Sequence, residues 1–381
     1  MGAAKIRPRR SPLRESGQRR RCDKMIRLFG ARQQSILASR ESRRRHGPPS
    51  VDVVDQGVVP TCVPTALNGK PHDQWHAGVY DNSGRICPSS LIERSRPERK
   101  MSVPFLPIDI NLDAIEHIQG QAVYGGLLFN NFGHFLLEST NRLWWPLRER
   151  FSDYIVFQNT DPLNVTGEFA KRFFDLIGIS ERIIITTSAV SFDRVIVPEP
   201  SFVIQRHFYK EFRLPFLIAG ESAKKFTSSM PKSMLTDAPG LYLSRRRYGF
   251  RRSFGEEHIE NRLSEEGFAI ISMETLPLEH QILMVQKHKS IIGVMGSAFH
   301  TMPFSTVSKN ATYICRDFDI NVNYFMIDEL MQNDSIYIFG DCMSSESRTR
   351  YYSDDITLNL PSIFKFLADA GILRGSSRDM E

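Results

Sequence analysis

The chain has 381 residues, of which 41% are hydrophobic and 24% charged; these proportions are ordinary for a soluble globular enzyme, and the length suggests two domains. The net charge of +6 is unevenly distributed, because residues 1–50 hold 15 Lys/Arg against 3 Asp/Glu and the remainder holds 34 against 40. The basic excess therefore belongs to the N-terminal arm, so the overall charge does not mark the body of the protein as a nucleic-acid binder.

The cysteine pattern argues against a disulfide framework and against a zinc knuckle, and it favours a reducing compartment. There is no C-x-x-C pair, and the cysteines are widely spaced and odd in number: Cys22, Cys62, Cys87, Cys315 and Cys342. No apolar stretch approaches the roughly 18 residues that a membrane span needs. The Arg-rich start is not followed by an apolar segment typical of a signal peptide, so we expect a cytoplasmic protein.

Residues 1–50 alternate Arg with Ser, Pro, Gly and Gln, which predicts a disordered basic arm. Within it, Met25 to Leu37 has the pattern of a short amphipathic helix. Two interpretations stay open: a flexible tail, or peripheral contact with anionic phospholipid on the inner face of the plasma membrane. Specific nucleic-acid binding ranks last because aromatic residues are nearly absent from the arm.

Residues 51–230 are predicted to form an N-terminal α/β domain. The part up to about residue 110 is rich in Pro and short β-branched runs, which indicates irregular strands and turns. The stretch Leu127 to Leu147 has apolar residues at helical spacing, and Tyr154–Phe157 is typical of a buried strand. A helix over Phe169–Ile177 and strands near Arg182–Thr187 and Arg194–Val197 follow.

Residues 231–345 are predicted to form a C-terminal domain in which strands and helices alternate regularly. This order indicates a parallel sheet covered by helices. The predicted elements are strand Leu241–Ser244, helix Glu256–Glu266, strand Phe268–Ser272, helix Leu278–His288, strand Ser290–Val294, a helix from Ser297, strand Ala311–Cys315, helix Val322–Met331 and strand Ser335–Phe339. In residues 346–381, a last helix, Leu360 to Leu367, is expected to pack back on the first domain.

The first polar constellation interrupts an apolar, helix-forming run. His134 and Glu138 stand four residues apart, so a helix places them on one face, where a carboxylate can orient an imidazole as a general base. Asn131 is suited either to bond a sugar hydroxyl or to cap the helix. A purely structural role for His134 stays open at this stage.

The second constellation is a cluster of five arginines between residues 245 and 252, after a predicted strand and before a predicted helix. Guanidinium groups bind phosphate oxygens in pairs, and a helix N-terminus adds N–H donors. Arg245 and Arg252 are therefore candidates for binding a diphosphate without a metal, and Ser244 and Glu256 of the same segment are further candidates for the donor-binding site. A solvated basic loop is the alternative.

The third constellation is a strand that runs into Gly293-Val294-Met295-Gly296 and then Ser297. Glycine lets the backbone approach a ligand closely, and Ser297 is expected to cap the next helix. His300, in the first turn of that helix, is a further candidate for catalysis, with a structural role as the alternative. Asp317 and Asp319 spell D-x-D, but this spacing occurs about once by chance in a chain of this length, so we assign no metal site.

Together, these segments resemble glycosyltransferase family 61, the type associated with capsular polysaccharide biosynthesis. The resemblance covers about Gly120 to Phe304. Asn131-Phe132-Gly133-His134 with Glu138 is similar to the family's N-x-x-H segment, and Ser244-Arg245 with Arg252 and Glu256 is similar to its S-R…R…N-E segment. Glu279 and Gln281, leading to Gly293, Gly296 and Ser297, are similar to its E-Q…G-x-x-G segment.

The resemblance implies an α/β fold with two Rossmann-like domains facing a cleft, as in the GT-B arrangement. It also implies an inverting hexosyl- or pentosyltransferase, with a nucleotide-diphosphate sugar as donor and a glycan or lipid-linked glycan as acceptor. No tightly bound cofactor and no divalent metal are expected. Arg245 and Arg252 would hold the diphosphate, the Gly296-Ser297 turn would lie beside the nucleotide, and the base would be His134, Glu138 or His300.

Two positions depart from the family pattern. Gly255 stands where many members have Asn, and Met295 stands where many have His. These departures keep a second interpretation open, a non-catalytic nucleotide- or sugar-binding subunit of a polysaccharide assembly complex. The donor sugar, the linkage and the oligomeric state are not specified by the sequence.

Overall fold

The computed structural model describes residues 26–30, 42–67, 70–91, 93–96, 99–102, 114–161, 166–235, 237–249, 251–316, 321–340 and 355–374. The strands are β1 (Ile26–Phe29), β2 (Val51–Asp55), β3 (Val58–Val59), β4 (Val63–Leu67), β5 (Lys70–His76), β6 (Glu93–Arg96), β7 (Arg99–Ser102), β8 (Glu116–Leu128), β9 (Tyr154–Asn159), β10 (Ile183–Thr186), β11 (Val190–Pro198), β12 (Phe202–Val203), β13 (His207–Phe208), β14 (Leu241–Leu243), β15 (Ser253–Phe254), β16 (Ala269–Ile271), β17 (Ser290–Val294), β18 (Asn310–Cys315), β19 (Asp334–Phe339) and β20 (Ile356–Thr357).

The helices are α1 (Phe132–His134), a π-helix (Phe135–Ser139), α2 (Trp144–Arg148), α3 (Glu168–Leu176), α4 (Leu214–Ala223), α5 (Glu256–Glu265), α6 (Leu278–Lys287), α7 (Val322–Met331) and α8 (Leu360–Asp369). A 3₁₀ segment, Ser297–Phe304, takes the place of the helix predicted from Ser297. Pro303 lies inside this segment, and its missing N–H is incompatible with a regular α-helix there.

The C-terminal sheet is parallel throughout, as the alternating sequence predicts. Its strand order is β1-β19-β18-β17-β14-β16, and every neighbouring pair runs parallel. From β14 onwards the five strands of the unit have the spatial order 2-1-3-4-5 of a doubly wound sheet. The chain therefore winds first to one side of β14 and then to the other.

Helices cover both faces of this sheet. On one face, α6, α7 and the 3₁₀ segment pack on residues such as Leu243 and Tyr313. On the other face, α5 and α8 pack on residues such as Tyr242 and Ile338. The expectation that the last helix packs on the first domain is wrong, because the apolar stripe of α8, including Ile363 and Leu367, is buried in this second cluster.

The N-terminal sheet is mixed. Its order is β10-β9-β8-β11-β2, in which the first four strands are parallel and β2 is an antiparallel edge strand. The long strand β8 lies in the middle, and its last seven residues are buried. Its carboxyl end leads directly into α1, so the sheet core fixes the position of that short helix.

The two sheets share one apolar core, and the division into two separate domains stays a prediction. Phe173 of α3, Phe216 of α4 and Phe304 of the 3₁₀ segment contact one another, with ring centroids 5.0–6.0 Å apart. Helix α4 lies against both α6 and the 3₁₀ segment. The halves therefore meet through a packed seam of aromatic side chains.

The N-terminal arm differs from the expectation where it is described. Ile26–Phe29 forms an edge strand parallel to β19, not part of an amphipathic helix. The open edge of β19 offers unpaired N–H and C=O groups to this strand. Successive side chains of a strand point to opposite faces of the sheet, so Ile26 and Leu28 pack on one core cluster while Phe29 packs on the other. Further along, the amide of Arg45 donates to the carbonyl of Phe208 at 2.8 Å.

Candidate functional site

The strand order of the C-terminal sheet reverses between β14 and β17. These strands pair in parallel, with Leu243 opposite Gly293, so their carboxyl ends deliver two loops to the same place. The first loop begins with Ser244 and the second with Met295. Ligands of open parallel sheets bind in the crevice at such a reversal point.

Arg245 lies across the second loop. Its Nη1 points at the carbonyl oxygen of Met295, 3.4 Å away. A Cβ atom on Gly296 would stand 1.8 Å from that nitrogen, so only glycine leaves room for the guanidinium in this position. The Nε of Arg245 is buried and has no hydrogen-bond partner among the described residues. Protein groups in the described structure therefore satisfy the donors of this guanidinium only in part.

Two carboxylates of α5 support this first loop. Oε1 of Glu256 accepts hydrogen bonds from the amide of Arg245 and the hydroxyl of Tyr242, and burial raises the pKa of the Glu256 carboxyl to about 7. Glu260 accepts from the hydroxyl of Ser244 at 2.5 Å. Glu256 thus lies beneath the loop as a support, and Ser244 is a loop residue held by Glu260, whereas both were predicted to bind the ligand.

Asn131 acts as the N-cap of α1. Its Oδ1 accepts hydrogen bonds from the amides of Gly133 and His134, at 3.1 and 3.3 Å. Its capping role, one of the two roles considered for it, is therefore present. The cap fixes the direction in which α1 leaves β8, and with it the position of His134.

His134 and Glu138 form a hydrogen-bonded pair, with Nδ1 of the imidazole 2.5 Å from Oε2 of the carboxylate. The side chain of His134 is 44% exposed and that of Glu138 only 4%, so the carboxylate lies beneath a solvent-facing ring. With Glu138 accepting from Nδ1–H, Nε2 is the nitrogen that can take a proton from a substrate. The helix here is a π-helix, a form that is frequent at functional sites.

His300 belongs to the 3₁₀ segment that follows β17, in the C-terminal half of the molecule, and lies close to His134. The residue is buried, and burial lowers the pKa of its imidazole to about 3, an effect to which the neighbouring His134 adds. The ring is therefore neutral at physiological pH. It packs beside Tyr324, with ring centroids 5.4 Å apart.

Gly133 lets the two halves of the molecule approach closely at this point. A Cβ atom there would stand 3.0 Å from the Cβ of Ser297 and 3.3 Å from Nδ1 of His300. The His134–Glu138 pair of the N-terminal half therefore lies next to the loop after β17. Asn131, His134, Glu138, Arg245, Gly296, Ser297 and His300, which are far apart in sequence, are assembled at one junction.

Among the described residues, Arg252 contacts Asp355 and Phe254 and none of the junction residues. Its Nε and Nη2 donate to Oδ2 of Asp355 at 2.9 and 2.7 Å, and its amide donates to Oδ1. Its guanidinium also lies over the exposed ring of Phe254, 5.0 Å from the centroid. Arg252 is therefore committed to an ion pair beside β15 and β20.

Glu279 and Gln281, which were also candidates for the donor-binding site, bind protein groups in this structure. Glu279 accepts two hydrogen bonds from Arg172 of α3, at 2.8 and 3.1 Å, which lowers the pKa of its carboxyl and joins the two halves. Gln281 donates to the carbonyl of Leu276. Gly296, and not Ser297 as expected, occupies the N-cap position of the 3₁₀ segment, in an extended conformation.

Sequence reasoning missed three participants: Tyr242, Glu260 and Arg172. A signal existed for Glu260, since it follows Glu256 by four residues and thus shares its helix face. The partners of Tyr242 and Arg172 depend on long-range packing, so no local sequence pattern predicts them.

Asp317 and Asp319 lie outside the described residues. In the part of the chain that the structure describes, no three His, Cys, Asp or Glu side chains cluster so that they could hold a metal ion. Over the same residues, no helix is both long and apolar enough to cross a bilayer.

A comparison with protein families matches residues 132–315 of this chain to the family described as Glycosyltransferase 61. The match confirms the resemblance inferred from the motifs. It includes every junction residue named above except Asn131, which immediately precedes it. No curated protein matches the chain significantly.

Proposed function

Because residues 132–315 match Glycosyltransferase 61, a family that indicates glycosyl transfer, we propose that this chain is an inverting hexosyl- or pentosyltransferase. Its donor is a nucleoside-diphosphate sugar and its acceptor is a hydroxyl of a glycan or lipid-linked glycan. One observation carries this proposal: a Cβ on Gly133, which precedes His134, would stand 3.0 Å from the Cβ of Ser297, and Ser297 follows Gly296, over which the Arg245 guanidinium lies.

In the proposed reaction, the acceptor oxygen attacks the anomeric carbon from the face opposite the diphosphate. The new glycosidic bond forms as the bond between the anomeric carbon and the phosphate oxygen breaks. The proton of the acceptor hydroxyl goes to Nε2 of His134, and the electron pair of the broken bond leaves with the diphosphate. A single displacement of this kind inverts the anomeric configuration.

We assign the role of base to His134 rather than to Glu138 or His300. A general base works best when its pKa lies near the operating pH, and the pKa of about 3 makes His300 a poor proton acceptor. Glu138 is almost fully buried beneath the imidazole. Its contribution is to orient the ring and to stabilise the imidazolium that forms.

Arg245 would stabilise the leaving diphosphate. A guanidinium that keeps donors available can form charge-assisted hydrogen bonds to phosphate oxygens, which are stronger than neutral ones. Such stabilisation is a large contribution in reactions that develop negative charge. A divalent metal is not required in this proposal, and turnover that persists in a chelator would support that part of it.

The test is transfer from a panel of UDP-hexoses, UDP-pentoses and GDP-hexoses to oligosaccharide acceptors, with detection of the released nucleoside diphosphate. We expect His134→Asn to lower kcat by roughly 10²–10⁴-fold with little change in donor Kd. We expect Arg245→Ala to weaken donor binding. NMR of the first product formed reads its anomeric configuration, and retention there would rule out the single-displacement mechanism.

A second function, a non-catalytic binding subunit, is favoured by one observation. Met295, whose carbonyl lies at Arg245, stands where many family members have His. Under this alternative, the wild-type chain binds a donor but neither transfers nor hydrolyses it. Turnover by the wild-type chain would eliminate the alternative.

The other departure, Gly255, has a conformational explanation. Its φ of +92° lies in the left-handed region, where Gly is favoured and Asn is the next best tolerated residue. The replacement therefore preserves the backbone that leads into α5.

We place this reaction in cell-surface or capsular polysaccharide synthesis, on the cytoplasmic side. The basic residues of the N-terminal arm would provide peripheral attraction to anionic lipid. Comparing the sedimentation of wild-type protein and a chain lacking residues 1–25 with anionic and neutral vesicles tests the lipid contact. Equal sedimentation of both chains would remove it.

A further inference from the structure

Two carboxylates on one face of α5 grip three consecutive residues of the loop that carries Arg245. Glu256 and Glu260 lie one helical turn apart, so both point towards the loop after β14. The loop residues that they contact are Ser244, Arg245 and Arg246. The helix therefore meets this loop through acidic groups and not through an apolar contact alone.

Glu256 is the inner of the two supports. Its side chain is fully buried, and Oε1 accepts from the amide of Arg245 at 2.9 Å and from the hydroxyl of Tyr242 at 3.1 Å. Oε2 is buried without a hydrogen-bond partner in the described structure. A buried carboxyl with an unsatisfied oxygen is costly, so its retention here calls for a specific role.

Glu260 is the outer support. It accepts from the hydroxyl of Ser244 at 2.5 Å and from Nη1 of Arg246 at 2.9 Å. The hydroxyl of Ser272 lies 3.3 Å from that of Ser244 and extends the network to the neighbouring strand end. The residues on either side of Arg245 are thus held by side-chain contacts.

We propose that Glu256 is a positioning residue that aims the guanidinium of Arg245 over Gly296 by holding the Arg245 amide, while Glu260 holds the flanking residues. This inference rests on the proposed function, in which Arg245 contacts the diphosphate. Only the torsion φ separates a peptide N–H from the Cα–Cβ bond of the same residue, so an amide that is held in place restricts the directions open to the side chain. Losing the acceptor frees the amide to turn towards solvent, and the side chain turns with it.

The decisive variants are Glu256→Ala and Glu256→Gln, with Glu257→Ala as a matched control on the same turn. Glu257 is half-exposed and forms an ion pair with the exposed His258 at 3.6 Å, so its loss removes none of the hydrogen bonds that hold the loop, although Glu257 adds to the electrostatic field at Arg246. The Gln carbonyl keeps an acceptor for both hydrogen bonds, whereas Ala removes the acceptor of the Arg245 amide and of the buried Tyr242 hydroxyl. Calorimetry with UDP and GDP measures the result.

We expect Glu256→Ala to weaken diphosphate binding about tenfold or more, Glu256→Gln to stay within about threefold of wild type, and Glu257→Ala to have no effect. A double-mutant cycle distinguishes an effect that acts through Arg245 from a general loss of structure. If Glu256 acts through Arg245, Glu256→Ala causes no further loss in an Arg245→Ala background. An additive loss in the double variant overturns the positioning role.

A ligand-free measurement makes failure of the inference distinct from failure of the proposed function. Hydrogen exchange of a peptide spanning residues 244–247 is followed in the three single variants. Faster exchange in Glu256→Ala but not in Glu256→Gln or Glu257→Ala supports the clamp, by which we mean the hold of Glu256 on the Arg245 amide. Unchanged exchange in Glu256→Ala overturns it. If the clamp is present but neither UDP nor GDP binds wild type, the proposed donor class is wrong and the linkage to diphosphate binding falls with it.

Discussion

Replacing Gly296 by Ala separates ligand binding from stability more cleanly than removal of a charged side chain does. The new Cβ would stand 1.8 Å from Nη1 of Arg245 and 3.0 Å from its Cζ, far inside van der Waals contact. The obstructing atoms are the far end of a flexible side chain, so the guanidinium can swing away while the backbone stays in place. Gly296 has an extended φ of −174°, which Ala also adopts.

The expected loss in donor affinity follows from the hydrogen bonds that Arg245 would make. Hydrogen bonds to charged groups contribute about 1.5–3 kcal/mol, which corresponds to roughly a tenfold to hundredfold change in Kd. The free energy of unfolding should change by less than about 1 kcal/mol, because the displaced guanidinium is only moved and no cavity forms. Gly296→Ala should therefore resemble Arg245→Ala in binding and wild type in stability.

Calorimetric titration with a nucleoside diphosphate and urea unfolding of the same samples test this expectation. Gly249→Ala is the matched control, because Gly249 lies in the loop that follows β14 and its Cβ would meet no atom of the described residues within 4 Å. Wild-type affinity in Gly296→Ala, alongside a clear loss in Arg245→Ala, would refute the idea that Arg245 must lie over this glycine. A large loss of stability in Gly296→Ala would refute the structural argument itself.

Three further predictions follow from single residues. Gly255→Asn should keep wild-type stability and turnover, whereas Gly255→Val should cost about 1–3 kcal/mol in unfolding because a β-branched residue is strained at φ +92°. Arg252→Ala should weaken diphosphate binding far less than Arg245→Ala, since Arg252 is engaged by Asp355; equal losses would contradict the placement of Arg252. His300 has a lowered pKa of about 3, so its contribution to stability is complete above about pH 6.5 and is lost as pH falls towards 3. His300→Phe should therefore flatten the dependence of the unfolding free energy on pH, measured by urea unfolding between pH 7 and pH 4. An unchanged dependence would contradict this prediction.

The shared apolar core limits relative movement of the two halves at the junction. Phe216 and Phe304 contact each other across the seam, and Arg172 forms a two-point ion pair with Glu279 beside it. A seam of packed rings resists sliding more than a polar interface does. We therefore expect the His134–Glu138 pair and the Arg245 loop to keep a fixed separation.

Local patterns were enough to predict most of the C-terminal unit. The predicted helix Val322–Met331 and strand Ser290–Val294 coincide with α7 and β17, and the alternation of strands and helices predicted the parallel sheet. The four-residue spacing of His134 and Glu138 predicted their contact, and capping was one of the two roles considered for Asn131. Each of these features depends on residues within a few positions of one another, where periodicity and capping chemistry dominate.

Features that depend on distant partners were decided only by the tertiary structure. Ile26–Phe29 forms a strand because β19 offers an open edge, and α8 packs on the C-terminal sheet because that sheet's second face needs a cover. Arg245 and Arg252 are indistinguishable as local sequence, yet only Arg252 has Asp355 as a partner. The sequence by itself determined which residues carry the charges and the helical faces. The partner of each charge was set by long-range packing, because a buried or half-buried charge takes whichever opposite group the fold brings within reach.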